Sequence, residues 1–404
     1  MRRLTLVLAL LAATSLHAQT KAPTFTGFLS LRGVNGSGPE SWIAGGFGRM
    51  EVGADRTELL ATAQVGADWE PVQWFDVHVS GIARREPSDY EGKAAGLIDA
   101  YADLRAVFTN DQIQLRAGQF FLPTSRENKG DLWTSPYTIS FSAINSWIGE
   151  EVRPVGADLE WKHTTGPGHV ITAAASAFRN NDTMGTLLAW RGWSVGNRLT
   201  VYNEELPLPP LATLPRWFPK QRDGTIPFES DLDGHTGWSA RVRYSLPERA
   251  NIQVMRLDNG GDKGLYRSEY SWDTKFTLVS AELGNTDKAI LAAEYITGKT
   301  AMGWTAPNWV IDDFDAWYLL ASQKLGRFRW SARYEEFAVD EYSRGKGSED
   351  GQSWTITGMY ELTPSLRGAA EFTQVSGNKE SAREAGFSPS TDGRNWSLEL
   401  RYRF

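Results

Sequence analysis

From about residue 24 to its end, the chain repeatedly alternates apolar and polar residues in segments of about ten. Few patterns restrict a fold so tightly. In the last segment Trp396, Leu398, Leu400, Tyr402 and Phe404 share one face, while Ser397, Glu399, Arg401 and Arg403 share the other. Phe328, Trp330, Ala332 and Tyr334 stand in the same way against Arg329, Ser331, Arg333 and Glu335. Trp238, Ala240, Val242 and Tyr244 alternate with Ser239, Arg241 and Arg243, and Leu366, Gly368, Ala370 and Phe372 with Arg367, Ala369, Glu371 and Thr373. A period of two is the signature of a β-strand whose faces meet different surroundings. A soluble sandwich also buries one face and wets the other, so the alternation alone does not choose between sandwich and barrel.

The connections choose. The pattern predicts strands over about 24–32, 58–69, 73–85, 94–108, 112–120, 152–163, 168–180, 236–246, 250–258, 271–283, 288–298, 313–325, 327–337, 352–362, 365–375 and 394–404. Tight turns are expected at Glu70-Pro71, Thr109 to Asp111, Thr164 to Gly168, Pro247-Glu248, Gly284 to Asp287, Gly326 and Thr363-Pro364, with a longer polar or Gly-rich loop after each following hairpin. All short turns then lie at one end and all long loops at the other. That is the asymmetry of a transmembrane antiparallel β-barrel, with short periplasmic turns and long extracellular loops. The predicted class is all-β, with about sixteen strands in a single barrel over 19–404.

Aromatic positions agree. Strands entered from long loops begin with Trp238, Trp272, Trp354 and Trp396, and three of them carry Tyr244, Tyr360 and Tyr402 six residues later on the same face. Six residues at about 3.3 Å each span roughly 20 Å, which suits an apolar band between two aromatic girdles. These seven residues are the expected girdle. Beyond residue 18 no apolar run approaches the roughly 18 residues that a spanning helix needs, and 17 Trp, 13 Tyr and 18 Phe are too many for a disordered chain. The net charge of −7 gives no electrostatic basis for nucleic-acid binding.

Arg2 and Arg3, the apolar run Leu4 to Leu16 and Ala18 read as a secretory signal peptide over 1–18, cleaved near Ala18 before Gln19. Loss of the two arginines takes the charge from −7 to −9. The chain has no Cys and so forms no disulfide.

Signal peptide, strand count, turn asymmetry and aromatic C-terminal strand together resemble the outer-membrane porins of Gram-negative bacteria, over nearly the whole mature chain. "RAGQFFLP" from Arg116 to Pro123 and "TSPYTISF" from Thr134 are similar to porins related to the phosphate-selective group. Phosphate-selective members are expected to carry a rich basic ladder, which this acidic chain does not share. The resemblance implies an outer-membrane location, a homotrimer surrounded by membrane lipid, and recognition of Leu398, Leu400, Tyr402 and Phe404 by the barrel-assembly machinery. It also implies that loop 121–151, after the fifth strand, folds inward and narrows the channel; an ordinary extracellular loop is the alternative.

That loop holds Glu127, Asp131, Glu150 and Glu151, with Arg126 and Lys129, and Trp133, Tyr137, Phe141 and Trp147 to pin it to the wall. Facing it, Arg241, Arg243, Arg329, Arg333, Arg367, Arg401 and Arg403 are expected along the lumen, interleaved with Glu335, Glu371 and Glu399. Two readings follow: a transverse field that favours small polar or anionic solutes, or pairing across strands that stiffens the wall. Loop 181–235, with "LPLPPLATLP" from Leu206, is expected as an extended strap packed at the rim or against a neighbouring subunit.

The expected function is therefore passive diffusion of ions and small solutes through a porin. A barrel-anchored adhesion or binding protein, or an outer-membrane enzyme, is the alternative. His78, His163, His169 and His235 show no metal-binding spacing, no G-x-S-x-G elbow stands in a strand-turn-helix setting, and neither catalytic residues nor a cofactor is expected. Carboxylates at Asp258 to Asp262 and Ser348 to Gly351 could hold Ca²⁺, but the expected reading is solvated loops without metal.

Overall fold

A computed structural model describes residues 22–404 apart from 88, 89, 91, 230, 306, 307 and 343–346. The predicted signal peptide lies outside the described residues.

Sixteen antiparallel strands close into one barrel. They are β1 (Thr24–Ser37), β2 (Arg56–Val72), β3 (Phe75–Arg84), β4 (Ala95–Val107), β5 (Asp111–Gln119) and β6 (Val155–Thr164). Then come β7 (Val170–Arg179), β8 (Gly237–Leu246), β9 (Ala250–Asp258), β10 (Asp273–Asn285) and β11 (Ala289–Thr305). The last five are β12 (Asn308–Leu325), β13 (Phe328–Glu341), β14 (Glu349–Glu361), β15 (Leu366–Lys379) and β16 (Gly393–Arg403). Closure runs through β1 and β16, which pair from Phe28↔Arg403 to Ser37↔Arg394. Beyond that ladder Gly27 and Phe404 exchange two backbone hydrogen bonds, each 3.0 Å. A Cβ at Gly27 would stand 2.5 Å from the Phe404 ring, so glycine is what lets the terminal aromatic lie across the seam.

The two faces separate as the alternation requires. Leu398 and Leu400 are 69% and 47% exposed on the outside, whereas Glu399 and Arg401 on the inside are 5% and 7%. Trp238, Trp354, Trp396, Tyr244, Tyr360 and Tyr402 all stand on the outer surface. Near the long-loop end the outward rings touch in series, with Trp317–Tyr334 centroids 5.6 Å apart and Tyr334–Trp354 and Phe372–Trp396 both at 4.5 Å.

Three expectations are corrected. Trp272 is fully buried and packs edge-on to Trp190 at 5.3 Å. It shares parity with the inward Thr274, Phe276 and Leu278, so it belongs to the inside and not to the girdle. The first turn falls at Gln73-Trp74, because β2 absorbs Glu70-Pro71 in a register shift between Trp69 and Val72, where a strand tolerates proline. The long loop expected between residues 298 and 313 is mostly strand: β11 runs to Thr305 and β12 starts at Asn308. Met302 and Val310 on the inner face of this extension are covered by Leu206, Leu208 and Phe218 of the 181–235 segment, which supplies the burial that keeps it paired.

Candidate functional site

Two long loops enter the barrel and occupy much of its interior. Loop 121–151 leaves β5, crosses inside, and ends in helix α1 (Ala143–Glu151), all of whose residues are buried. Ser142 caps the helix by accepting from the Asn145 N–H at 3.3 Å. Residues 181–201 follow α1 inward and form a second helix, α2 (Thr186–Trp190). The expected extended strap is therefore wrong for this half, and the later half coils into a further helix, α3 (Thr213–Trp217). Burial decides this: the apolar residues Met184, Leu187, Leu188, Trp193 and Val195 are almost wholly removed from solvent there, which an extended strap at the rim would not achieve.

The wall that receives them is apolar. Phe276 of β10 and Phe314 of β12 take Trp147 at centroid distances of 5.5 and 5.4 Å, and Trp193 lies 5.9 Å from Trp147 and 6.1 Å from Phe314. Met255, Leu257, Leu278, Ile296 and Leu320 complete this surface. The interior is thus not polar all round, as the alternation elsewhere implied. The departure is largest under the two loops, with Phe28, Val34, Leu60, Ile82 and Ile98 as smaller instances on β1 to β4.

Charged groups fasten the loop at its edge. The Arg333 guanidinium meets Glu127, donates to the carbonyls of Ser140 and Phe141 at 2.9 and 3.0 Å, and reaches Glu335 at 3.1 Å. Glu371 accepts from the N–H groups of Ile139 and Ser140 at 2.6 and 2.9 Å, Glu335 from Ala143 at 2.6 Å, and Glu294 from Arg126. Deeper in, Glu150 pairs with Arg191 at 2.7 Å and accepts from Ser194. Glu151 accepts from Trp147 Nε1 at 2.6 Å and from the N–H groups of Leu187 and Gly185 at 2.9 and 3.2 Å, so it caps α2 from a different loop. Burial pushes its carboxyl up to about 7. Arg153 sits between the Phe121 and Phe228 rings at 4.4 and 4.3 Å and donates to three backbone carbonyls, and burial brings its guanidinium down to about 9.

Among the remaining expected lumen residues, Arg241 is fixed to Asp158 and Glu160 at 2.7 and 2.9 Å, and Arg367 and Arg401 share Glu399 at 3.3 and 2.8 Å. Arg403 pairs with Glu361. Arg243 donates to Thr172 Oγ1 and Arg329 to Ser322 Oγ, with no carboxylate on either among the described residues. Asp131 is exposed on a tight turn, away from the buried charges, and joins none of them. The structure therefore brings Glu127 to Arg333 and leaves Glu150 and Glu151 tied to the second loop.

The space left open lies on the opposite side, along β1, β2, β3 and β16. A cavity of about 60 Å³, room for a few water molecules, is walled there by Arg32, Arg84, Arg85, Arg198 and Arg401 together with Glu51, Glu86 and Glu399, with Phe28, Ile43, Leu60 and Ile82 between them, and closed on its far side by Thr134 to Phe141. Two smaller cavities, of about 10 and 20 Å³, adjoin it and also touch Glu51. Of these eight charged residues only Arg401 and Glu399 were singled out from the sequence. Arg32 alternates with Leu29 and Leu31 and was legible in the same way. Glu51, Glu86 and Arg198 lie in loops, where no period marks the inward side.

Elsewhere, Asp233, His235 and Asp262, and Asp182, Asp231 and Asp233, bring carboxylate or imidazole atoms within 4.8 Å of one another. The backbone N–H groups of Gly234, His235 and Gly264 already occupy Asp231, Asp233 and Asp262 as in ordinary Asp turns, and the Leu232 N–H donates to Asp182 across the loop. The histidines among the described residues are dispersed: His78 meets Asp68 at 2.6 Å and His163 meets Asp111 at 2.9 Å on the barrel wall.

No protein-family model and no curated protein matches this chain. Solved structures do. The outer-membrane channel DcaP of Acinetobacter baumannii superposes with a TM-score of 0.57 at 12% identity, covering 95% of this chain and 97% of the other. The trimer form of OmpT, an outer-membrane protein of Vibrio cholerae, gives a TM-score of 0.51 at 11% identity and covers 95% of this chain and 100% of that one. The chain has the closed sixteen-stranded fold of the outer-membrane porins.

Proposed function

We propose that this protein is an outer-membrane porin forming a narrow, passive, water-filled channel for small polar or anionic solutes. The carrying observation is the cavity beside loop 121–151, where five arginines face three glutamates. Charged rings of this kind set which ions enter a pore. More guanidinium than carboxylate in that lining favours anions. In this reading loop 121–151 is the constriction loop, with Glu127 and Arg333 holding it in place rather than acting on the solute. Export through the signal peptide, assembly through Leu398, Leu400, Tyr402 and Phe404, and a homotrimer complete the reading. The last is supported by the trimer form of the Vibrio cholerae barrel of the same fold.

Planar-bilayer recording tests it. The wild-type protein is expected to give steps of defined size with a reversal potential that favours chloride over potassium, and Ala at both Arg85 and Arg198 to reduce that preference. One observation favours a second reading, a barrel-anchored surface-binding protein: residues 181–201 and α1 fill the interior on the β9–β13 side. A silent bilayer around correctly inserted protein would select that reading.

A further inference from the structure

The three cavities have one residue in common. Glu51 lines the inner cavity, the cavity at the long-loop end walled by Glu40, Glu58, Arg56 and Tyr90, and the lateral one beneath Glu371 and Thr373. Its carboxylate meets the guanidinium of Arg32, which lines two of the three. Arg32 comes from the rigid wall, whereas Glu51 comes from loop 38–55, whose residues from Ser41 to Val52 are largely buried as the loop turns inward.

Glu51 is also held from behind. A Cβ placed on Gly196 would come within 3.3 Å of Glu51 Cγ, so the second inward loop packs directly on its side chain. Gly196 is in turn locked to loop 121–151, its carbonyl accepting from the Phe141 N–H at 2.7 Å and its N–H donating to Ser146 Oγ at 3.0 Å. All three inward loops therefore converge on this carboxylate, at the point where the open spaces meet.

Building on the channel reading, we propose that the Arg32–Glu51 pair is the selectivity gate of the path. Charge reverses across it: the outer cavity carries Glu40, Glu51 and Glu58 against Arg56 alone, while the inner one carries five arginines against three glutamates. An anion passing inward crosses an acidic vestibule and then displaces the Glu51 carboxylate from Arg32 for the moment of passage. Glu51 occupies the guanidinium fork that a passing anion would otherwise bind too well to leave, since conduction requires binding that is favourable yet brief.

Single-channel recording of the full-length protein in a potassium chloride gradient tests this. Glu51→Gln is expected to raise the chloride-to-potassium permeability ratio by about twofold or more, and Arg32→Ala to lower it below the wild-type value. Gly196→Ala removes no charge but presses on the Glu51 side chain, and should lower conductance while leaving the ratio unchanged. An unaltered ratio in both charge variants, with barrels that remain folded by heat-modifiable electrophoresis, overturns the gate and leaves the channel intact. If Glu51→Gln does not assemble, an unchanged conductance in Gly196→Ala overturns it in the same way. Absence of steps in the wild-type protein overturns the channel reading itself, and the gate with it.

Discussion

Glu151 shows how one buried side chain couples the loops to pH. Its proton is retained up to about 7, against 4.5 for a free glutamate, because burial disfavours the carboxylate more than the donors from Leu187, Trp147 and Gly185 favour it. Between those values the folded protein holds a proton that the unfolded chain has released. Its contribution to stability is therefore complete below about 4.5 and is lost as pH rises through 7. The junction of α1 and α2 should be firmer at pH 5 than at pH 8 by on the order of 3 kcal/mol. Limited proteolysis of the 181–235 segment at the two values would show it as faster cutting at pH 8, and Glu151→Gln should remove the difference. Equal cutting of the wild-type protein at both values would count against this. Gly185, which donates to the same carboxylate, sits at φ 105°, where a Cβ would stand 2.1 Å from Thr300 Oγ1. Gly185→Ala should accordingly detach α2 and speed cleavage at either pH. At this scale the inward arginines of β8, β13 and β16 were legible from parity, but Trp272 was not. It lies at a strand edge, and a one-residue error there exchanges inside for outside.

At the scale of elements, the sixteen strands follow from the alternation because each needs only its own residues to declare its faces. The inward loops do not, since their burial depends on a wall supplied by distant strands. Loop 121–151 is held by Arg333 of β13, and Arg333→Ala would leave Glu127 buried without its counter-ion, a loss of about 3–5 kcal/mol. The expected result is a loosened loop and a larger, noisier single-channel current. A double variant, Arg333→Met with Glu127→Gln, should be milder than Arg333→Ala, because removing both partners leaves no uncompensated charge. A single variant as quiet as the wild-type protein would show that the aromatic contacts of Trp147 hold the loop without it.

For the molecule as a whole, the interior divides into a dry half, where Trp147 and Trp193 pack on Phe276 and Phe314, and a wet half lined by arginine and glutamate. Exchanging residues 186–201 for a Gly-Ser linker of equal length should open the dry half and raise conductance roughly severalfold, with the barrel still closed through Gly27 and Phe404. An unchanged conductance would place the path wholly outside the region the second loop fills. The strands, the outer aromatic belt and the inward direction of the wall charges were set by period two, which is local and survives in any register consistent with a buried face, and the turn asymmetry by the spacing of Gly, Pro, Asn and Asp between them. Which arginines line the inner cavity, and that Glu51 borders all three cavities, were decided only when the barrel closed. Closure brings residues more than a hundred positions apart into one lumen, and the loops then bury whatever apolar surface that lumen offers.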